Sequence, residues 1–310
     1  MTFIDKLRDK KSKLKTSSQD TYIRNIKRLR RVKHSLPIPE TESKWLLSKA
    51  LLDWYDKQPL SVRRHMSTAA NVGLSVYGKD SKEWKKRQRS SMEEFDQDRR
   101  KRELTPAQKA RIPTNGFDSL KKVIVQMKKE LRHVLAKIET MSDLVRVQDL
   151  VILSLYYEIP LRLDYATLRI EKSKSVNSIY RNTKKPAGWH IVLHEFKTAK
   201  SLGSKTFKLG SANQRLLNKF VPAVKKLTTH GFLLTNRKGG KMSKQVLSKT
   251  LMKLTKSRIG KAFSTQLLRI LYAMKNRDVI ESAKEVSDKL LHSQEQSLLY
   301  SKKDDKKSSK

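Results

Sequence analysis

The sequence predicts a mainly α-helical protein with one small antiparallel β-sheet, an α+β fold built from two domains. Apolar residues recur at helical spacing through most of the 310 residues. Short runs rich in β-branched and aromatic residues cluster in one region only, between residues 166 and 210. A highly charged stretch with prolines and a glycine separates a short helical part from a longer second part.

The charge balance indicates a polyanionic partner. The chain holds 70 Lys and Arg against 30 Asp and Glu, a formal net charge of +40. A folded body with that charge repels itself unless it works on a polyanion, and phosphate backbones attract Lys and Arg through counterion release. DNA or RNA is therefore the expected partner, although a basic protein of the ribosomal or chromatin type would have the same composition.

Several classes of protein are disfavoured by what the sequence lacks. It has no cysteine, which excludes disulfides, thiolate zinc sites and cysteine nucleophiles. The N-terminal residues have no apolar run of signal-peptide length, and no stretch approaches a transmembrane helix. We expect a soluble intracellular protein with no membrane partner, located with the DNA on which it acts and therefore in the nucleus of a eukaryotic cell.

The organisation along the chain follows from these changes in composition. We predict the following parts: a flexible basic arm over 1–15, a helical domain over 16–83, a charged linker over 84–115, a larger domain over 116–300, and a basic tail over 301–310.

The first domain reads as three amphipathic helices with basic outer faces. On the third of them Met66 and Leu74 fall on the apolar side, and two arginines fall on the polar side. Exposed basic residues on such helices are candidates for phosphate contacts. The candidates for DNA binding are Lys27, Arg28, Arg63 and Arg64.

The second domain contains the predicted sheet. Its strands are expected over residues 166–173, 189–196 and 205–210, with a hairpin turn from Lys197 to Lys205. Helical patterns precede and follow the sheet, including residues 213–226 and 244–256.

The last stretch of this domain carries residue types suited to phosphate chemistry. Arg269 lies on an apolar helical pattern, and His292 and Tyr300 follow it before the lysine-rich tail. A guanidinium matches a phosphate bidentately and keeps its charge, and a tyrosine hydroxyl can attack phosphorus. Cleavage of a phosphodiester without a metal also needs an acid to protonate the leaving oxygen.

The order of these residues resembles the tyrosine recombinases, the phage-integrase family. PLRLDYATLRI resembles the motif of the first arginine and implies Arg162, with Asp164 the nearest candidate for the acidic residue that follows. HEFKTAKSLGSKTFKLG resembles the hairpin of the catalytic lysine and implies Lys197, with Lys200 and Lys205 as rivals.

The C-terminal motifs complete the resemblance with one departure. QLLR resembles the His-x-x-Arg motif and implies Arg269, but it puts Gln266 where a histidine or lysine is usual. An amide can donate a hydrogen bond to phosphate, but it is neither an acid nor a base near neutral pH. LLHS implies His292 as the next member, and Tyr300 as the nucleophile.

The resemblance covers nearly the whole chain and implies a fold, an activity and an assembly. A helical core-binding domain and a recombinase catalytic domain would close around double-stranded DNA, and a homo-tetramer would act on synapsed sites. The implied activity is site-specific recombination or integration through a covalent 3′-phosphotyrosine, with no metal, no ATP and no other cofactor. The setting implied is a virus or another mobile element.

Two other functions fit the same residues. A type IB topoisomerase or a telomere resolvase would use the same chemistry without the same assembly. A catalytically inactive DNA-binding protein of the same fold is the alternative that Gln266 favours.

Overall fold

In this computed structural model the chain divides into two units, Met1–Leu104 and Thr105–Lys310. The structure describes residues 1–101 and 103–289. The fold is mainly α-helical with a small antiparallel sheet, so the predicted fold class is confirmed.

The N-terminal unit is a bundle of helices around its own apolar core. Its helices are α1 Phe3–Lys10, α2 Thr16–Arg30, α3 Lys49–Asp56, α4 Leu60–Val76 and α5 Lys82–Arg100, with a 3₁₀ turn at Lys44–Leu47. The predicted inward face of α4 is confirmed, since Met66 and Leu74 are buried.

Both ends of this unit differ from the sequence prediction. Residues 1–15 are not simply a basic arm, because α1 begins with a capping box between Thr2 and Asp5 and buries Phe3 and Leu7 in the core. The charged stretch that begins at residue 84 forms α5, whose Trp84 is fully buried. Charge dominates the composition of both segments, yet a few large apolar side chains at helical spacing attach them to the core.

The C-terminal unit is built around one helix that is buried on all sides. This helix, α9, spans Met141–Glu158, and every residue from Leu150 to Tyr156 is buried. The other helices are α6 Pro106–Lys109, α7 Ser119–Glu130, α8 Arg132–Ala136, α10 Ala199–Leu202, α11 Ser211–Leu227, α12 Lys244–Ile259, α13 Thr265–Lys275 and α14 Arg277–Lys289. Helices α7, α11 and α12 pack against α9.

The sheet of this unit has the strands β1 Ser178–Asn182, β2 Gly188–Leu193 and β3 Lys205–Lys208 in the order β1-β2-β3, all antiparallel. Ile191 pairs with Ile179 on one side and with Phe207 on the other. Strands β2 and β3 lie where predicted, and α10 lies in their connection.

The predicted first strand, residues 166–173, is wrong. Asp164–Thr167 instead form a 3₁₀ turn, hereafter the Asp164 turn, which the Thr167 hydroxyl closes by donating to the Asp164 carbonyl at 2.7 Å. Arg169 makes only isolated bridges, to Ser178 and to Phe232. Strand β1 pairs with β2 in place of the predicted strand, and this pairing buries Ser178 and Ile179.

Candidate functional site

Arg162 lies in the short segment that joins the end of α9 to the Asp164 turn. Two buried tyrosines hold this segment: the Tyr156 hydroxyl donates to the Arg162 carbonyl at 2.6 Å, and the Tyr165 hydroxyl donates to the Ile159 carbonyl at 2.6 Å. Burial raises the pKa of both phenols, so both remain protonated donors. The backbone of Arg162 is thereby fixed while its side chain is only half-buried.

Asp164 is the one charged residue of this turn, and it is 7% exposed. Burial raises the pKa of its carboxyl, and the positive charges of Lys244, Arg162 and Arg269 oppose that rise. Among the described residues none forms an ion pair with Asp164. The negative charge of a buried carboxyl lowers the repulsion among the three cations near it. Because none of these cations forms an ion pair with Asp164, each can still bind an anion from solvent.

Arg269 is exposed on α13, whose opposite face is buried through Leu267, Leu268 and Leu271. The helix begins at the N-cap Ser264, whose hydroxyl accepts from the Leu267 amide at 3.2 Å. Partial burial and repulsion from Arg162 lower the pKa of Arg269, and Asp164 raises it. The two arginines predicted from separate motifs therefore lie close enough to repel each other. Arg269 stays charged, because a guanidinium keeps its proton far above neutral pH.

Lys244 is the member of this cluster that the sequence analysis missed. It is the first residue of α12, directly after the N-cap Ser243, and its side chain is exposed. Helix α12 packs against the Asp164 turn. The sequence predicted a helix beginning at Lys244, but nothing in the spacing indicated that this helix end meets a turn some 80 residues earlier. Arg162, Asp164, Lys244 and Arg269 are hereafter the Arg162 cluster.

The predicted lysines of the hairpin lie outside the interactions described for this cluster. Lys197 lies in the turn after β2, Lys200 in α10 and Lys205 at the start of β3, and all three are exposed. No charge interaction described for Asp164 or Arg269 involves any of them. Their assignment as proton donors stays a prediction.

The remaining predicted residues of this domain divide into one that is described and two that are not. Gln266 is exposed on α13, one turn before Arg269 and on the same helix face. His292 and Tyr300 lie outside the described residues.

In the N-terminal unit the predicted DNA-binding residues have contrasting surroundings. Arg63 donates to both carboxylate oxygens of Glu94, at 3.0 and 2.8 Å. The Arg64 guanidinium lies 3.8 Å from the centre of the Phe95 ring. Lys27 is half-buried, whereas Arg28 is exposed on α2. Arg28 is thus the predicted residue with the most accessible charge.

The described part of the chain offers neither a metal site nor a membrane-spanning helix. Within residues 1–101 and 103–289, no group of three His, Asp or Glu side chains could hold a metal ion. Over the same ranges, every helix is too short or too polar to cross a bilayer.

Comparison with known proteins gave likenesses of structure only. No family model matches the chain, and no curated protein matches it. The crystal structure of XerA recombinase is similar at 10% identity and a TM-score of 0.38, over 98% of this chain and 94% of that one. The XerH site-specific recombinase bound to difH substrate, a pre-cleavage complex, is similar at 15% identity and a TM-score of 0.45, over 98% of this chain and 91% of that one. These likenesses are too distant to carry a function over.

Proposed function

We propose that the protein is a tyrosine recombinase that cleaves and rejoins double-stranded DNA through a covalent 3′-phosphotyrosine. The observation that carries this proposal is the Arg162 cluster. Two arginines from distant motifs are both predicted to bind one phosphate. The charge of Arg162 acts on Arg269, both arginines act on the Asp164 carboxyl, and neither has an ion-pair partner among the described residues. Such a group of open cations suits an external phosphodiester.

The proposed reaction assigns one task to each residue. The Tyr300 oxygen attacks the scissile phosphorus and its proton passes to solvent. The bond from phosphorus to the 5′ oxygen breaks, and Lys197 protonates that oxygen. Arg162, Arg269 and His292 stabilise the charge on the non-bridging oxygens.

Rejoining is the reverse step on another strand. The 5′ hydroxyl of a partner strand attacks the phosphotyrosine and releases Tyr300. The covalent link conserves the bond energy, so the proposed reaction requires no ATP. The cationic side chains bear the charge that a metal would otherwise stabilise, so it requires no metal. We propose a homo-tetramer on synapsed DNA and a setting in a virus or another mobile element, both on the resemblance alone.

A second candidate is a catalytically inactive DNA-binding protein of the same fold. Gln266 favours it, since an amide cannot take over the work of an acid or a base. The two candidates differ in one measurable product, a covalent protein–DNA adduct.

The test uses nicked DNA fragments pooled from the source genome, which trap the cleaved strand. The wild-type protein should form an adduct that resists denaturant and forms in the presence of a chelator. Tyr300→Phe should form none and should bind the same fragments as tightly. The matched control is Tyr272→Phe, since Tyr272 is a partly exposed tyrosine of the same unit. An adduct that persists in Tyr300→Phe would refute the assigned nucleophile, and tight binding without any adduct would favour the inactive candidate.

A further inference from the structure

We infer, on the basis of the proposed function, that Lys244 is a third phosphate-binding residue and provides the positive charge that Gln266 lacks. Nothing in the motifs assigns a role to Lys244. Three separate observations lead to this conclusion: the position of Lys244, its lack of an ion-pair partner within residues 1–101 and 103–289, and the missing charge at Gln266.

The position of Lys244 is fixed on both sides. The residue before its N-cap, Met242, is buried, and its amide donates to the Leu234 carbonyl at 3.1 Å. After it, Leu247 and Leu251 anchor α12 in the core. The helix start is therefore rigid, and a rigid base lets a flexible side chain reach a defined place.

Helix α12 also connects the two elements that carry the arginines. The helix packs against the Asp164 turn, which begins two residues after Arg162, and its first residue, Lys244, acts on the Asp164 carboxyl. Near its C-terminal end, the buried Thr255 hydroxyl accepts from the Phe263 amide at 2.8 Å, just before α13 and Arg269. Lys244 thus belongs to the frame that holds both arginines.

The charge of Lys244 has no ion-pair partner in the part of the chain that the structure describes. Lys244 is the strongest of the cations acting on Asp164, yet none of the described residues pairs with it within 4 Å. Other basic side chains of the unit do pair with a carboxylate, as Arg258 does with Glu130 at 2.8 Å. Lys244 therefore adds an exposed ammonium to the same buried carboxyl on which Arg162 and Arg269 act, and an external anion can bind the three charges together.

Gln266 leaves the site without a positive charge at a position where a histidine or lysine is usual. It lies one turn before Arg269 on the same face of α13, so it can reach the same phosphate with a hydrogen bond but brings no charge. With Lys244 included, the site again presents three cations to a phosphodiester.

The experiment measures the rate of adduct formation on the nicked fragments with protein in excess, so that differences in affinity do not enter. Lys244→Gln should slow the reaction roughly 10²-fold, as the loss of one preorganised donor to developing charge does. Lys244→Arg should recover most of that rate. The matched control is Lys249→Gln, an exposed lysine of the same helix, which should react at the wild-type rate.

A rescue variant separates direct phosphate binding from mere support of Asp164. If Lys244 replaces the charge missing at Gln266, then adding Gln266→Lys to Lys244→Gln should raise the adduct rate at least about tenfold. A Lys244 that only balances Asp164 would gain nothing from that second change. An adduct rate for Lys244→Gln equal to that of Lys249→Gln would overturn the inference.

A second measurement keeps the inference testable if the wild-type protein forms no adduct. Inorganic phosphate is titrated against the protein while the side-chain Nε–H signals of Arg162 and Arg269 are followed by NMR. Phosphate should move both signals and should bind several-fold more weakly to Lys244→Gln than to Lys249→Gln. That result without an adduct would reject the recombinase and retain the anion site, whereas equal binding by the two variants would reject the role of Lys244.

Discussion

The cations predicted to contact DNA have opposite surroundings in the two units. In the N-terminal unit Arg63 is held by Glu94 and Arg64 lies on the Phe95 ring. In the C-terminal unit Arg162 and Arg269 have no ion-pair or ring partner among the described residues, and they repel each other. The first pair works within the fold, and the second pair is left open to an anion from outside.

This difference shows why a basic residue cannot be assigned to DNA by its type alone. Among 70 basic residues, most positions look alike in the sequence. Whether one is available depends on partners that lie far along the chain, as Glu94 does from Arg63. Unpaired cations that gather around a buried carboxyl are a more specific sign of a site than a high count of Lys and Arg.

The largest expected effect tests the open pair directly. Arg162→Ala and Arg269→Ala should each lower the adduct rate roughly 10²–10³-fold, about 3–4 kcal/mol of transition-state stabilisation, because each removes a fixed donor to the phosphate oxygens. Arg63→Ala, the control from the internally paired group, should keep the wild-type rate under saturating protein.

A wild-type adduct rate in Arg162→Ala or in Arg269→Ala would contradict the assignment of these arginines to the phosphate. A loss of rate in Arg63→Ala equal to theirs would contradict the contrast between the two units. Circular dichroism of each variant identifies any that fails to fold.

A second effect concerns Asp149, a carboxyl of α9 that lies near cations and likewise forms no ion pair with any residue that the structure describes. It lines a cavity of about 220 Å³ together with Arg237 and Lys253. Burial raises the pKa of Asp149 to about 6, and the charges of Arg237, Arg258 and Lys253 oppose that rise. The folded state therefore binds this proton more tightly than the unfolded state, so this group lowers the free energy of unfolding as pH rises from about 4 to about 6.

Asp149→Asn should remove that dependence. Relative to the wild type, the variant should gain about 2–3 kcal/mol of unfolding free energy between pH 4 and pH 7, from the shift of the pKa. Asp143→Asn is the matched control on the same helix: hydrogen bonds from Thr140 lower the pKa of Asp143, so its loss should cost stability at neutral pH. Urea unfolding of the C-terminal unit at both pH values measures the change in unfolding free energy that each substitution causes. A change of the same sign in both variants would contradict the burial of Asp149.

The sequence predicted those helices and strands whose residues show a clear local pattern. Helices α4, α11 and α12 followed from apolar spacing, and β2 and β3 from their β-branched and aromatic residues. The segment of α1 was predicted as a flexible arm and that of α5 as a linker with some helix, because charge outweighs the few residues, such as Phe3 and Trp84, that are buried in the core. Strand β1 was missed because its partner choice depends on β2 and not on its own composition.

The site divides in the same way. Arg162 and Arg269 came from motifs, and the structure brings them together with Asp164. Lys244 could not be found, because its place depends on the packing of α12 against the Asp164 turn. The internal pairing of Arg63 was equally hidden, since nothing in the local sequence links it to Glu94.

The smallest expected effect distinguishes an internally paired cation from an open one within the N-terminal unit. Arg63→Gln should cost about 1 kcal/mol of unfolding free energy, the value of a partly exposed ion pair with good geometry. Glu94→Gln should cost about as much, and the double variant should cost little more than either single one.

Binding to a random DNA duplex separates the two roles. Arg28 is exposed on α2, so Arg28→Gln should lower the slope of log K against log salt by about 1, the loss of one phosphate contact. Arg63→Gln should leave the slope unchanged, because its guanidinium is held by Glu94. If both variants change the slope equally, Arg63 exchanges Glu94 for a phosphate on DNA, and internal pairing would then not decide which cations bind.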